Sequence, residues 1–255
     1  MTTSPRRPAI LMTLLAALMI APSASRADSR RFAWSYEAAT SPAGTREYEQ
    51  WVTWKTDHAA DPLRDQVQFR HELEFGLSDR VQLGVYVADW GYTRTAEGSD
   101  TEVGGTAAEV IWNLADPATA ALGVAAYGEV AIGAEKFALE AKLLIEKPLG
   151  PLTLVANTVL EAEWEDEDWT EDTGALEQTL GLSWEFSPSL LVGAEGVVEK
   201  ELPGWRGGSE AVAWAGPNVS LRLPAFWVTT APLLRLGDND DEPGLAWRTL
   251  VGLDF

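Results

Sequence analysis

The sequence predicts an all-β protein, an antiparallel transmembrane β-barrel of about twelve strands with short periplasmic turns and acidic outer loops. Three observations carry that expectation. Apolar and polar residues alternate with period two in twelve segments of roughly ten residues, as in strands whose two faces meet different surroundings. Short turns and longer loops alternate along the chain, which fits up-and-down strands of a membrane barrel. The chain ends on an aromatic residue, Phe255, in phase with the apolar face of the last segment.

The first segment reads as an address. Arg6 and Arg7 precede an apolar run from Ala9 to Ala21, and Ser25-Arg26-Ala27 offers small residues for cleavage before Asp28. Residues 1–27 are therefore expected to be a signal peptide, too short to remain as a spanning helix. Pro8 stands where a twin-arginine signal wants an apolar residue. With no Cys there is no lipoprotein anchor, disulfide frame, thiolate metal site or Cys nucleophile.

Residues 28–44 are expected to pack in the lumen or at the rim. Phe32, Trp34 and Tyr36 alternate with Ala33, Ser35 and Glu37, so an extra strand, for thirteen or fourteen in all, is the alternative. The barrel proper is expected over residues 45–255. Its segments begin near residues 45, 67, 80, 105, 119, 137, 152, 175, 189, 211, 225 and 245. The clearest runs from Val67 to Leu77: Val, Phe, His, Leu, Phe and Leu on one face, Gln, Arg, Glu, Glu and Gly on the other. Short turns are expected at residues 78–80, 115–118, 148–151, 187–189 and 224–225, where Pro, Asp, Gly and Ser preset turn dihedrals. Longer connections are expected at 56–65, 93–102, 165–174, 202–209 and 237–244, with a short one at 133–136.

The chain has 12 Trp. Trp54, Trp90, Trp112, Trp164, Trp184, Trp227 and Trp247 fall near strand ends, where an indole sits well at the headgroup level. Val251, Leu253 and Phe255 have the form of a carboxy-terminal assembly signal. This implies the barrel assembly machinery as a partner and the bacterial outer membrane, with its lipid and lipopolysaccharide, as the location.

Tyr36-Glu37-Ala38-Ala39-Thr40-Ser41-Pro42-Ala43-Gly44, followed by Glu49-Gln50-Trp51-Val52-Thr53, resembles the opening of an uncharacterised family of Gram-negative outer-membrane barrels. The layout is more loosely similar to passive channel barrels for small solutes. These resemblances imply a porin-like fold.

The lumen is where function is expected. With apolar positions facing out, the wall presents Glu47, Glu49, Glu72, Glu74, Glu109, Glu129, Glu140, Glu146, Glu161, Glu163, Glu177, Glu185, Glu195, Glu199 and Asp254 inward. Lys55, Arg70, Lys142, Arg222, Arg235 and Arg248 are the inward bases. Unpaired charge in a dry interior costs several kcal/mol per group, so a wet lumen or paired acids are implied. Inward glycines, among them Gly84 and Gly181, leave room. A net acidic wall favours cations.

An enzyme is not expected, and no catalytic residue is assigned. A phospholipase-like barrel needs His and Ser two residues apart. His71 is followed by Glu72 and Leu73, and His58 by Ala59 and Ala60. Glu161 and Glu163 could mimic a glycosidase pair, but Glu72/Glu74 repeats the pattern around the wall. A net charge of −20 excludes nucleic acid as a partner. No cofactor and no metal centre is predicted. Divalent cations at the acidic outer loops, residues 165–172 and 238–242, are candidate partners. The expected function is a passive channel for small solutes with cation preference. The alternatives are a plugged structural or surface-interaction barrel and, behind it, a lipid-modifying enzyme.

Overall fold

The computed structural model describes residues 29–134, 136–165, 171–207, 209–240 and 242–255. The expected signal peptide and most of the acidic 165–172 loop lie outside the described residues.

Among the described residues there are twelve strands and no helix. They are β1 (Arg46–His58), β2 (Asp65–Ser78), β3 (Val81–Arg94), β4 (Ser99–Ala115), β5 (Gly123–Ile132), β6 (Lys136–Leu149), β7 (Leu152–Glu165), β8 (Glu171–Ser187), β9 (Leu190–Pro203), β10 (Val212–Arg222), β11 (Trp227–Leu236) and β12 (Pro243–Asp254). Each pairs antiparallel with its sequence neighbours. β12 returns to β1, with Trp51 opposite Leu250 and Glu47 opposite Asp254. Closure leaves no sheet edge, the condition for crossing lipid with strands. Residues 29–45 add no strand to it, so the count is neither thirteen nor fourteen.

The burial pattern is the reverse of a soluble barrel's. Glu49 and Glu72 are 0% exposed and Asn157 and Asn218 1%, while Leu160, Leu180 and Leu234 are 48–59% exposed. Apolar side chains meet the surroundings, and the inside holds most of the buried polar ones together with an apolar cluster that includes Leu144, Leu233 and Leu250.

Aromatic residues ring the apolar surface at two levels. Toward the short-turn end are Trp112, Trp184, Phe186, Phe226 and Phe255, all exposed. Toward the loop end, Trp54 packs on Trp247, Phe69 stacks on Trp90 at 4.1 Å, and Phe137 lies against Trp164. Trp184 pairs with Leu152, twelve residues before Trp164 on β7. At about 3.3 Å per residue and a tilt of about 40°, the two levels are about 30 Å apart, the thickness of a hydrocarbon core. Trp227 does not belong to either ring. It is 4% exposed, points inward, and donates its indole N–H to Glu47 at 2.8 Å.

Two connections differ from expectation. The loop expected at residues 93–102 is a four-residue hairpin at 95–98, because β3 and β4 continue past the apolar belt. Arg94 is ion-paired with Asp65 there, and the Thr95 N–H donates to the Gly98 carbonyl at 2.8 Å. The turn expected at 115–118 extends over residues 116–122, where the Asp116 carbonyl accepts two N–H groups in a helical-type turn.

Candidate functional site

A twelve-stranded barrel is wider than the eight-stranded kind that side chains alone can fill. Here residues 29–45 enter the lumen and occupy its short-turn half. Pro42 and Gly44 stop the segment from joining the sheet. Gly44 has a φ of 86°, and Thr45 closes the turn by donating its N–H to the Pro42 carbonyl at 3.1 Å. A buried backbone without helix or sheet needs other partners for each N–H and C=O. The wall supplies them from side chains.

The Glu195 carboxylate on β9 accepts three consecutive N–H groups, from Ala33 (2.8 Å), Trp34 (2.8 Å) and Ser35 (2.9 Å). Asn157 on β7 accepts the Tyr36 N–H at 2.7 Å and donates to the Tyr36 carbonyl at 3.0 Å, imitating a strand partner. Glu146 accepts from Ala38 and Ala39, and Gln82 from Ser41. Asn113 donates to the Ala38 carbonyl, Asn218 to Arg31, Ser220 and Thr229 to Arg30, and Arg222 to Ser29. Arg31 is ion-paired with Glu37 at 2.8 Å and lies 3.7 Å from Glu185, which Arg222 also approaches. Phe32, fully buried, sits on Gly181. A Cβ there would come within 2.7 Å of the Phe32 ring. The space that the inward Gly181 leaves is thus filled by the segment.

The remaining half of the lumen is a vestibule of about 500 Å3, open toward the loops. Trp34, Tyr36 and Trp51 line its inner end. Seven carboxylates line it (Asp89, Glu102, Glu129, Glu140, Glu161, Glu165, Glu177), and four bases (Arg70, Lys136, Lys142, Arg248). Three of the bases lie on aromatic faces: Arg248 over Trp34 at 3.8 Å, Lys142 over Tyr36 and Tyr127 at 4.1 Å, and Arg70 over Tyr86 at 4.3 Å. Two are also ion-paired, Arg70 with Asp89 at 3.0 Å and Lys142 with Glu140 at 2.9 Å. Arg248 donates to the Thr53 hydroxyl, and Lys136 pairs with Glu163.

Beyond the inner end lies a second cavity of about 30 Å3, lined by Arg30, Tyr36, Glu37, Glu74 and Gln82 among others. Tyr36 lines both cavities. The Arg30 guanidinium lies 4.1 Å from the Tyr36 ring centre and 4.6 Å from that of Trp51.

Most of the inward acids fall into three groups. Glu129, Glu140, Glu161 and Glu177 border the vestibule, with Glu163 beside it on Lys136 and half-buried Glu199 opposite Glu177 in the sheet. Glu146 and Glu195 hold backbone N–H groups of the segment. Glu47, Glu49, Glu72, Glu74 and Glu109 form a buried cluster on β1, β2 and β4. Arg235 reaches the Glu242 carbonyl near the loops, and Asp254 is exposed at the opposite end.

Asp89 is a vestibule residue that alternation misses. Counting by twos from Gln82 through Tyr86 would turn Asp89 outward. A bulge between Tyr86 and Asp89 shifts the phase and aims its carboxylate at Arg70. His71 faces outward with both ring nitrogens engaged. The Trp90 indole donates to Nε2 at 3.3 Å, so Nδ1 carries the proton and donates to the Tyr48 hydroxyl, which in turn donates to Gln50.

The model of a family of unknown function, DUF6662, matches residues 24–242. The chain belongs to that family. No curated protein matches it in sequence. Among solved structures, the DUF6662 chain is similar to the COG4313 outer membrane channel from Pseudomonas putida F1. The TM-score is 0.61 at 10% identity, covering 86% of this chain and 98% of that one. It is also similar to the NanC porin (TM-score 0.53, 8% identity, 82% and 98% covered). A third is the KdgM porin in complex with disordered oligogalacturonate (0.50, 8%, 83% and 99%). At such identities the likeness is one of fold, and the fold is that of bacterial outer-membrane barrels.

Proposed function

We propose that this outer-membrane barrel is a passive channel for small solutes with a preference for cations, closed in this conformation by its own N-terminal segment. One observation carries the reading: Tyr36 of the N-terminal segment lines both the acidic vestibule and the small inner cavity. Fixed carboxylates raise the local concentration of cations and set selectivity by charge. Seven carboxylates against four bases leave that sign in the vestibule, although the acids holding the segment take no part in it.

No enzyme is proposed. His71 is fully committed to Trp90 and Tyr48, and among the described residues no Ser or Thr hydroxyl is bonded to it. The competing class is a structural barrel, permanently plugged and bound to lipopolysaccharide through cations at its acidic rim. The density of bonds on residues 29–41 favours it.

Planar-bilayer recording in a salt gradient separates the two. The channel reading expects a cation-selective reversal potential that moves toward zero in a Glu129→Gln, Glu161→Gln, Glu177→Gln variant. Anion selectivity contradicts it. Silence from both the full mature chain and a chain lacking residues 28–44 supports the plugged barrel.

We also propose that Val251, Leu253 and Phe255 act as the assembly signal. Phe255 is 66% exposed at the outer surface, available to a receptor once its strand is extended. Deleting Phe255 should lower the heat-modifiable band in outer-membrane fractions several-fold. Unchanged yield on semi-native gels would contradict this role.

A further inference from the structure

Five carboxylates meet inside the wall of β1, β2 and β4, away from the vestibule. Glu47, Glu49, Glu72, Glu74 and Glu109 are 0–6% exposed. Arg30 lies 3.5 Å from Glu49 at the edge of this group. Several carboxylates buried side by side are strongly unfavourable unless they are neutralised.

Some of their oxygens have partners. Glu47 accepts from Trp227, Glu49 from Trp51 at 2.7 Å, and Glu109 from Tyr86 and Tyr127. Glu72 differs: it is 0% exposed, and neither of its oxygens has a hydrogen-bond partner. One oxygen each from Glu72, Glu74 and Glu109 lie within 4.8 Å of one another. Two oxygens bound to one calcium ion at about 2.4 Å each are at most about 4.8 Å apart.

Gly84, on β3, makes this convergence sterically feasible. A Cβ at that position would stand 2.2 Å from Glu72 Oε1 and 2.6 Å from Glu109 Cγ. Only a residue without a side chain leaves the two carboxylates free to meet across β3.

We propose that Glu72, Glu74 and Glu109 bind one hard divalent cation, calcium by preference, within the barrel wall. Calcium accepts irregular all-oxygen geometry, whereas magnesium demands a near-octahedral set at shorter distance. Glu47 and Glu49 add negative charge beside the site. The ion would link β2 to β4 across β3, next to the place where Arg30 meets Glu49. This site is separate from the vestibule and stands whether or not the barrel conducts.

Terbium is a suitable probe because Trp51 and Tyr86 are bonded to carboxylates of the cluster and can sensitise its emission. The full mature chain is refolded into detergent with terbium, and folding is checked by the mobility of unboiled samples. The expected result is saturable emission at one ion per chain, displaced by calcium. It should fall at least tenfold in Glu72→Gln, Glu74→Gln and persist in Asp238→Asn, Asp240→Asn at the rim. Absence of sensitised emission from the folded chain, or equal emission from the double glutamine variant, overturns the proposal. Should that variant fail to fold, the native chain still decides: calcium must raise its unfolding temperature over chelator, and equal temperatures overturn the site.

Discussion

A chain whose leader is joined directly to Thr45, without residues 28–44, should assemble as a heat-modifiable barrel and conduct strongly. The wall that residues 29–41 touch carries Glu146, Asn157, Glu195 and Asn218 between apolar positions such as Ile111, Leu144 and Leu233. Water can take over every bond these side chains now make to the segment. The lipid-facing surface is untouched, so the barrel keeps the burial that holds it in the membrane. Conductance should rise about tenfold or more over the full mature chain, because a closed constriction is replaced by a continuous aqueous path. Liposome swelling with small sugars reads the same change. A deletion variant that assembles but stays impermeable would show that the wall closes on itself.

Glu195→Ala should release the segment while sparing the barrel. The substitution leaves the Ala33, Trp34 and Ser35 N–H groups without their acceptor in a buried site. At about 1–3 kcal/mol for each unsatisfied donor, docking of the segment weakens by about 4 kcal/mol. Glu195→Gln should be intermediate. One oxygen can still serve Trp34 and Ser35, but an amide NH2 then faces the Ala33 N–H. Limited proteolysis reads the result: the alanine variant should be cut within residues 29–41 under conditions where the native chain is resistant, with unboiled mobility unchanged. Equal resistance in both would mean that aromatic packing of Phe32, Trp34 and Tyr36 holds the segment without the carboxylate.

The barrel was legible because its code is repetitive. Leu73 and Phe75 on one face of β2, with Glu72 and Glu74 on the other, state the alternation locally, and eleven other segments restate it. Strand ends were less legible. Arg94 and Asp65 extend β3 and β2 beyond the membrane belt through a pairing twenty-nine residues apart, which no local pattern reveals. Trp227 stands at a strand end like the girdle tryptophans, and only the phase of β11 turns it inward to Glu47. The role of the N-terminal segment was least legible. Its aromatic alternation imitates a strand, and its partners Asn113, Asn157, Gln82 and Asn218 are ordinary polar residues scattered over four strands. Glu195 is chemically the same as Glu177, yet one holds three backbone amides and the other borders the vestibule.

Amide hydrogen exchange over residues 33–41 of the full mature chain, in detergent or nanodiscs, tests the closed lumen most directly. Those residues form neither helix nor strand, so an undocked segment would exchange at the rate of an unstructured chain. The wall-bonded amides of Ala33, Trp34, Ser35, Tyr36, Ala38 and Ser41 are instead predicted to be protected to a degree comparable with the strands of the barrel. Complete exchange of these amides within the first time points, beside protected strand amides, would contradict a lumen closed by its own N-terminal segment.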